Sequence, residues 1–208
     1  NTVPASSAGS PVSTFTRTTV KWTKLSTGLW REVASGIAAS CYLGADTTVG
    51  AYGGYFAEGA GTQLVTPTAS IRDMTDAAWV KGATITVAKT GTGIDGVVNA
   101  CTRLTFGAVE ATNTILQTLV AAASSRTYSA FIQIVGTLSG TVSITQDGGA
   151  TWTDVTSQLT AANHVRVSLA ASVLNASFGI KGSGNGDVIF ADFNQFEAGA
   201  FAKSPIAA

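Results

Sequence analysis

Apolar and polar residues alternate most cleanly along Tyr128-Ser129-Ala130-Phe131-Ile132-Gln133-Ile134-Val135, a period-two pattern that predicts a strand with one face on a core. Further strand-like runs fall at residues 85–88, 100–106, 114–120, 141–145, 152–155, 165–169, 177–180 and 187–196. Their spacing, roughly 8–15 residues with turn signals between, is that of a β-sandwich or jelly roll. Helical spacing is nowhere sustained for three turns, and one short helix is expected around residues 72–79. The Ala-rich stretch 116–125 reads as a strand followed by a loop. The fold class is therefore all-β: a jelly-roll or β-sandwich with an extended N-terminal arm.

Ahead of Pro67 the pattern differs. Residues 1–14 are Ser, Ala, Pro and Gly in low-complexity order, an arm or linker. Residues 15–66 hold two short alternating runs, 18–23 and 29–33, and then Gly50, Gly53, Gly54, Gly59 and Gly61 around Tyr52, Tyr55 and Phe56. So many glycines weaken strand pairing and predict an extended segment that contacts another subunit. The sandwich itself is expected over 67–208.

Composition narrows the function classes. Of 208 residues, 45% are hydrophobic, enough for a core, while 12% are charged, about half the usual share. Twelve basic and twelve acidic residues cancel, and no basic stripe occurs, which argues against nucleic-acid binding. So weakly charged a surface favours self-association, and a homo-oligomer is expected. No apolar run reaches the ~18 residues of a membrane span. The start has neither the basic nor the apolar region of a signal peptide, and a chain opening on Asn1 is expected to be part of a longer product. Cys41 and Cys101 lack CxxC spacing, so two buried free thiols are expected rather than a metal or redox motif.

Several segments, in order, resemble the C-terminal modules of bacteriophage tail, tailspike and particle-surface proteins. These are Phe15-Thr16-Arg17, then Tyr55-Phe56-Ala57-Glu58-Gly59-Ala60-Gly61-Thr62-Gln63-Leu64-Val65, Asp76-Ala77-Ala78-Trp79-Val80-Lys81, and Ile94-Asp95-Gly96. His164-Val165-Arg166-Val167-Ser168-Leu169 is similar to that family's W-x-R-V-S-L strand. Residues 186–206 are similar to its closing segment. Gln63 departs from the usual Asn, and Arg72 stands where an acid is usual. Some related jelly rolls hold a structural calcium through acids of the first and last strands. With Arg72 there no metal and no cofactor is expected, and Asp73, Asp187 and Asp192 read as solvated or turn-capping carboxylates. The resemblance implies a virion structural protein, located in the particle. It would be an attachment module of a tail fibre or tailspike recognising a host surface glycan, a trimer in that role, with other virion proteins as partners. The alternative is a capsid decoration, cement or head-fibre protein. A polysaccharide depolymerase is the least favoured.

Sugars stack their C–H faces on flat aromatic rings while amides and carboxylates bond their hydroxyls. The candidates are Trp79, Trp152, Tyr42, Tyr52, Tyr55, Tyr128, Asn194 and Gln195. Trp79 and Trp152 read more readily as core residues than as ligand platforms. Thr145-Gln146-Asp147-Gly148-Gly149-Ala150-Thr151-Trp152 fits the sialidase-type Asp-box, read here as a well-made hairpin turn. No nucleophile elbow or HExxH helix occurs, and His164, the single histidine, reads as structural. No catalytic residue is assigned. A tail tip predicts exposed aromatic and amide side chains clustered at one end of the sandwich. A depolymerase predicts two carboxylates facing each other across a cleft.

Overall fold

The computed structural model describes residues 63–202, together with the backbone of four short strands before them. Those strands form two separate antiparallel pairs. β1 (Lys21–Lys24) pairs with β2 (Trp30–Val33), and β3 (Ser40–Tyr42) pairs with β4 (Tyr52–Tyr55). They belong to one compact unit, residues 1–60; a second unit, Gly61–Ile206, holds the sandwich. The arm 1–14 and most of the segment 15–66 lie outside the described residues.

The sandwich is built from ten strands: β5 (Val80–Lys81), β6 (Thr86–Gly91), β7 (Cys101–Thr105), β8 (Thr114–Thr118), β9 (Ser125–Val135), β10 (Val142–Thr145), β11 (Thr153–Asp154), β12 (Val165–Ser172), β13 (Ser177–Gly182) and β14 (Val188–Ala198). They make two five-stranded sheets, ordered β11-β10-β13-β8-β5 and β12-β9-β14-β7-β6, with every pairing antiparallel. The all-β sandwich read from the alternation is the observed architecture. Residues 119–124 are loop, as expected of the Ala-rich stretch.

Between the sheets Phe178 of β13 stacks on Phe196 of β14 at 4.2 Å, meets Trp79 edge-on at 5.7 Å and lies 5.3 Å from Tyr128 of β9. All four rings are buried, and Leu104, Ile115, Ile132, Ile144, Ile180 and Ile189 complete the layer. One inward residue per two positions is what the period-two pattern requires.

The helix expected at 72–79 is replaced by a 3-10 turn, Thr68–Ile71, and a run of tight turns. Asp73 accepts from the Thr75 N–H and Asp76 from the Ala78 N–H, so aspartate side chains take up backbone donors that a helix would need. The turns deliver Trp79 inward, where its indole N–H donates to Ser70 O at 3.1 Å.

A second local departure lies in β14. Its register with β9 shifts between Asp192 and Gln195, with Phe193 at φ +42, so a bulge interrupts the alternation.

Candidate functional site

The outer face of the β12-β9-β14-β7-β6 sheet carries a strip of ionic side chains. From the turns before β5, Arg72 reaches Asp192 on β14, with Nε donating to Oδ1 at 2.8 Å and Nη2 to Oδ2 at 2.9 Å. Its other edge donates to both oxygens of Asp95 at 2.8 and 3.0 Å. Burial by itself would lower the Arg72 pKa, but the hydrogen bonds of the two carboxylates outweigh it and hold the guanidinium charged. Asp95 is driven upward by burial and more strongly downward by Arg72 and the Val97 N–H, so it stays ionised. The guanidinium also lies 4.6 Å from the Phe193 ring centroid, where the bulge sets that ring. Farther along the strip Arg166 of β12 donates to Ser129 Oγ at 3.0 Å and Gln195 Oε1 at 3.3 Å, and lies 3.6 Å from Glu197 Oε2.

Beside Arg72 and Asp192, Cys101 Sγ stands 4.0 Å from His164 Nε2. Burial pushes the thiol up to about 12, with Asp192 adding to the rise, and burial lowers the imidazole. A neutral thiol beside a neutral imidazole is not an activated nucleophile. Cys101 is a buried free thiol, as expected; the side chain of Cys41 lies outside the described residues. Asp95 and Asp192 do face each other, but Arg72 fills the space between them. Among the described residues no group of three or more His, Cys, Asp or Glu side chains is arranged to hold a metal ion.

The outer face of the other sheet is different. The Asp-box is the turn between β10 and β11, as read from the sequence. Asp147 accepts from the Thr151 N–H at 2.9 Å and from the Thr145 hydroxyl at 2.7 Å, with Gly148 and Gly149 at φ +73 and +89. Trp152 closes it. Its ring sits against Gly149, where an added Cβ would be 2.9 Å from the indole, and 5.5 Å from Lys181 Nζ. That ammonium is paired with Glu110 at 2.8 Å.

The sequence-derived candidates separate accordingly. Tyr128, Asn194 and Gln195 are buried, away from a surface ligand, and Trp79 is buried in keeping with its core reading. The Tyr128 hydroxyl donates to Asn194 Oδ1 at 2.9 Å, and Asn194 donates to Ile71 O at 3.2 Å: the bulge turns this amide into the core. Trp152, half-buried, is the one candidate whose described side chain reaches the surface. Tyr52 and Tyr55 lie on β4 and Tyr42 on β3, and their side chains are outside the described residues. Among the described residues, these candidates do not form the cluster of exposed aromatic and amide side chains expected of a tail tip. Arg72, Arg166, Phe193 and Glu197 were not singled out as site residues. Their partners lie up to 120 positions away, beyond what local pattern can pair.

No family model matches the chain, and no curated protein matches it. Similar solved structures are carbohydrate-binding modules. The CBM22-1–GH10 modules of Clostridium thermocellum endo-1,4-β-D-xylanase 10B, complexed with xylohexaose, are 13% identical with a TM-score of 0.43, over 69% of this chain and 28% of that one. The CBM22-1 xylan-binding domain of Paenibacillus barcinonensis Xyn10C is 13% identical at 0.45, over 70% of this chain and all of that one. The CBM22-1–CBM22-2 tandem of the same enzyme is 12% identical at 0.47, over 71% and 48%. This chain thus spans about a quarter of the first of these structures.

Proposed function

We propose that this chain is a non-catalytic glycan-binding domain, and that it serves as an attachment module on a virion surface. The observation that carries glycan binding is Trp152. It is a partly exposed indole held by a rigid turn on the outer face of a sheet, with the Lys181–Glu110 pair beside it. A flat ring beside a paired ammonium and carboxylate is a combination suited to a sugar, the ring for stacking and the ion pair for hydroxyl bonding. The virion setting rests on the ordered sequence resemblance through residues 15–206. The non-catalytic reading is supported by the state of the two facing carboxylates, both engaged by Arg72, and by the neutral Cys101 thiol.

The test is binding of the whole chain to an array of bacterial surface polysaccharides, with Trp152→Ala alongside and mass in solution measured on the same sample. Binding that Trp152→Ala weakens about ten-fold supports the proposal. Binding unchanged in that variant, or silence across the array, rejects it and turns attention to capsid decoration. Antibody labelling of purified particles tests the virion setting separately.

A further inference from the structure

Of the four strands that end the two sheets, three are blunted against pairing with another chain. β5 and β11 are each two residues long, and β6 shifts register between Ala88 and Gly91 and carries Lys89. The fourth, β12, is eight residues long and pairs with β9 from Val165 to Ser172 without a shift. Its sequence, Val-Arg-Val-Ser-Leu-Ala-Ala-Ser, has no proline, no glycine and a single charge, so the usual protections of an edge are missing.

Bonds made outside the strands fix the backbone direction along this edge. The Ile134 N–H donates to Thr160 O, in the segment that leads into β12, while Ser125 O accepts the Gly199 N–H just beyond β14. Even-numbered residues of β9 therefore turn their N–H and C=O groups toward β12, and odd-numbered ones toward β14. The Gln146 amide donates to Arg126 O and Leu169 O, two carbonyls that this alternation directs between β9 and β12. Register then makes Val165, Val167, Leu169 and Ala171 the residues bonded to β9, and turns the backbone of Arg166, Ser168, Ala170 and Ser172 outward. Ser168, Ala170 and Ser172 are exposed, and among the described residues their outward N–H and C=O groups have no partner.

Such an edge fits its own copy. Two β12 strands laid antiparallel about a two-fold axis set Ser168 opposite Ala170 and Arg166 opposite Ser172, each pair occurring twice. All four outward positions are then satisfied, by about eight hydrogen bonds. Leu169 meets its own copy on the core side of the axis, which covers apolar surface left half-exposed in one chain. Charge agrees with this arrangement. The two Arg166 residues stand about 20 Å apart along the pair, beyond the screening length. The chain's formal net charge is zero, so a second copy is not repelled.

We infer that the chain forms a two-fold dimer through β12, which joins two five-stranded sheets, one from each copy, into a continuous sheet. This surface lies on the other sheet from Trp152, so glycan binding stands or falls on its own test. The experiment is light scattering of the full chain between about 1 and about 100 µM, with Ala170→Pro and the double variant Ser168→Lys, Ala170→Lys alongside. Proline at 170 removes only an outward N–H and keeps the ladder with β9, while the lysines set like charges directly opposite each other. The expected result is twice the chain mass for the wild type at about 100 µM, with a dissociation constant raised about thirty-fold or more by Ala170→Pro and about ten-fold by the lysine pair. Both variants should keep the wild-type far-ultraviolet circular dichroism; where the proline variant fails to fold, the lysine variant decides. A wild type that stays monomeric at about 100 µM overturns the pairing and leaves the edge to a strand of another protein. A trimer, or a dimer as tight in the folded lysine variant as in the wild type, overturns it as well.

Discussion

Arg72 and Asp192 are joined at two points, Nε to Oδ1 and Nη2 to Oδ2, across 120 positions of chain. The pair ties the turns that precede β5 to the centre of β14. Asp192 is fully buried and also accepts from the N–H groups of Ile94 and Phe193, so it fixes the loop before β7 and the bulge that follows it. One guanidinium thereby serves as the counter-ion of two carboxylates from different segments.

Removing it should be costly. Arg72→Ala leaves Asp192 buried with only N–H donors and no cation, a change expected to destabilise the chain by about 3 kcal/mol. Arg72→Lys should recover part of this, since an ammonium keeps the charge but not the two-edged geometry. Urea denaturation of the three proteins followed by fluorescence measures both; a loss below about 1 kcal/mol for Arg72→Ala would contradict the role given to the pair.

The same geometry bears on metal. With Arg72 between Asp95 and Asp192, the carboxylates already have their cation, and EDTA should leave the melting temperature within about a degree of the untreated value. A fall of many degrees would mean that a bound ion contributes to folding. Differential scanning calorimetry with and without chelator, on protein purified without it, decides.

Strand positions were legible because burial on one face leaves a period-two trace, and β9 is the clearest case. The turn chemistry of Thr145–Trp152 was legible for a similar reason: Asp, two glycines and a Trp at fixed offsets describe a local structure. Residues 72–79 were misread because Ala77, Ala78 and Trp79 favour a helix while Asp73 and Asp76 form competing local bonds, and propensity does not show which wins. Asn194 and Gln195 were placed at the surface because amides usually are. A bulge with φ +42 at Phe193 turns Asn194 into the core, while Gln195 on the opposite face is covered and bonded by Arg166; a Phe in that conformation leaves no signal in the sequence.

Phe178 holds the two sheets together. Its ring meets Trp79, Tyr128 and Phe196, which come from both layers. Phe178→Ala should cost about 3–5 kcal/mol, the range for deleting a buried ring, whereas Trp152→Ala at the surface should cost well under that. Thermal unfolding of the two variants gives the comparison, and equal losses would place Trp152 in the core instead of on a binding face.

Cys101 should be silent to alkylation. With the thiol pushed up to about 12 by burial, the thiolate fraction at pH 8 is on the order of one in ten thousand, and the sulfur is covered as well. In a Cys41→Ser background, iodoacetamide at pH 8 is expected to leave the native chain unmodified by mass spectrometry and to add one group in urea. Rapid modification of the folded protein would show that the sulfur is accessible.

His164 sets the upper part of the acid response. Burial lowers its folded pKa, and Asp192 and Asp95, which raise it, are offset in part by Arg72. The unfolded chain titrates near 6.5, so it takes up a proton that the folded chain refuses. Stability from this group is complete above about pH 6.5 and is lost as pH falls from there through the folded pKa. The lowered carboxylates of Asp73, Asp95, Asp147 and Asp154 act in the same direction, but only below about pH 4. His164→Gln should therefore flatten the melting-temperature profile just below pH 6.5 while preserving the steep fall below about pH 4. If the wild-type profile is already flat just below pH 6.5, the folded imidazole takes up its proton as readily as the unfolded one and burial does not hold it neutral.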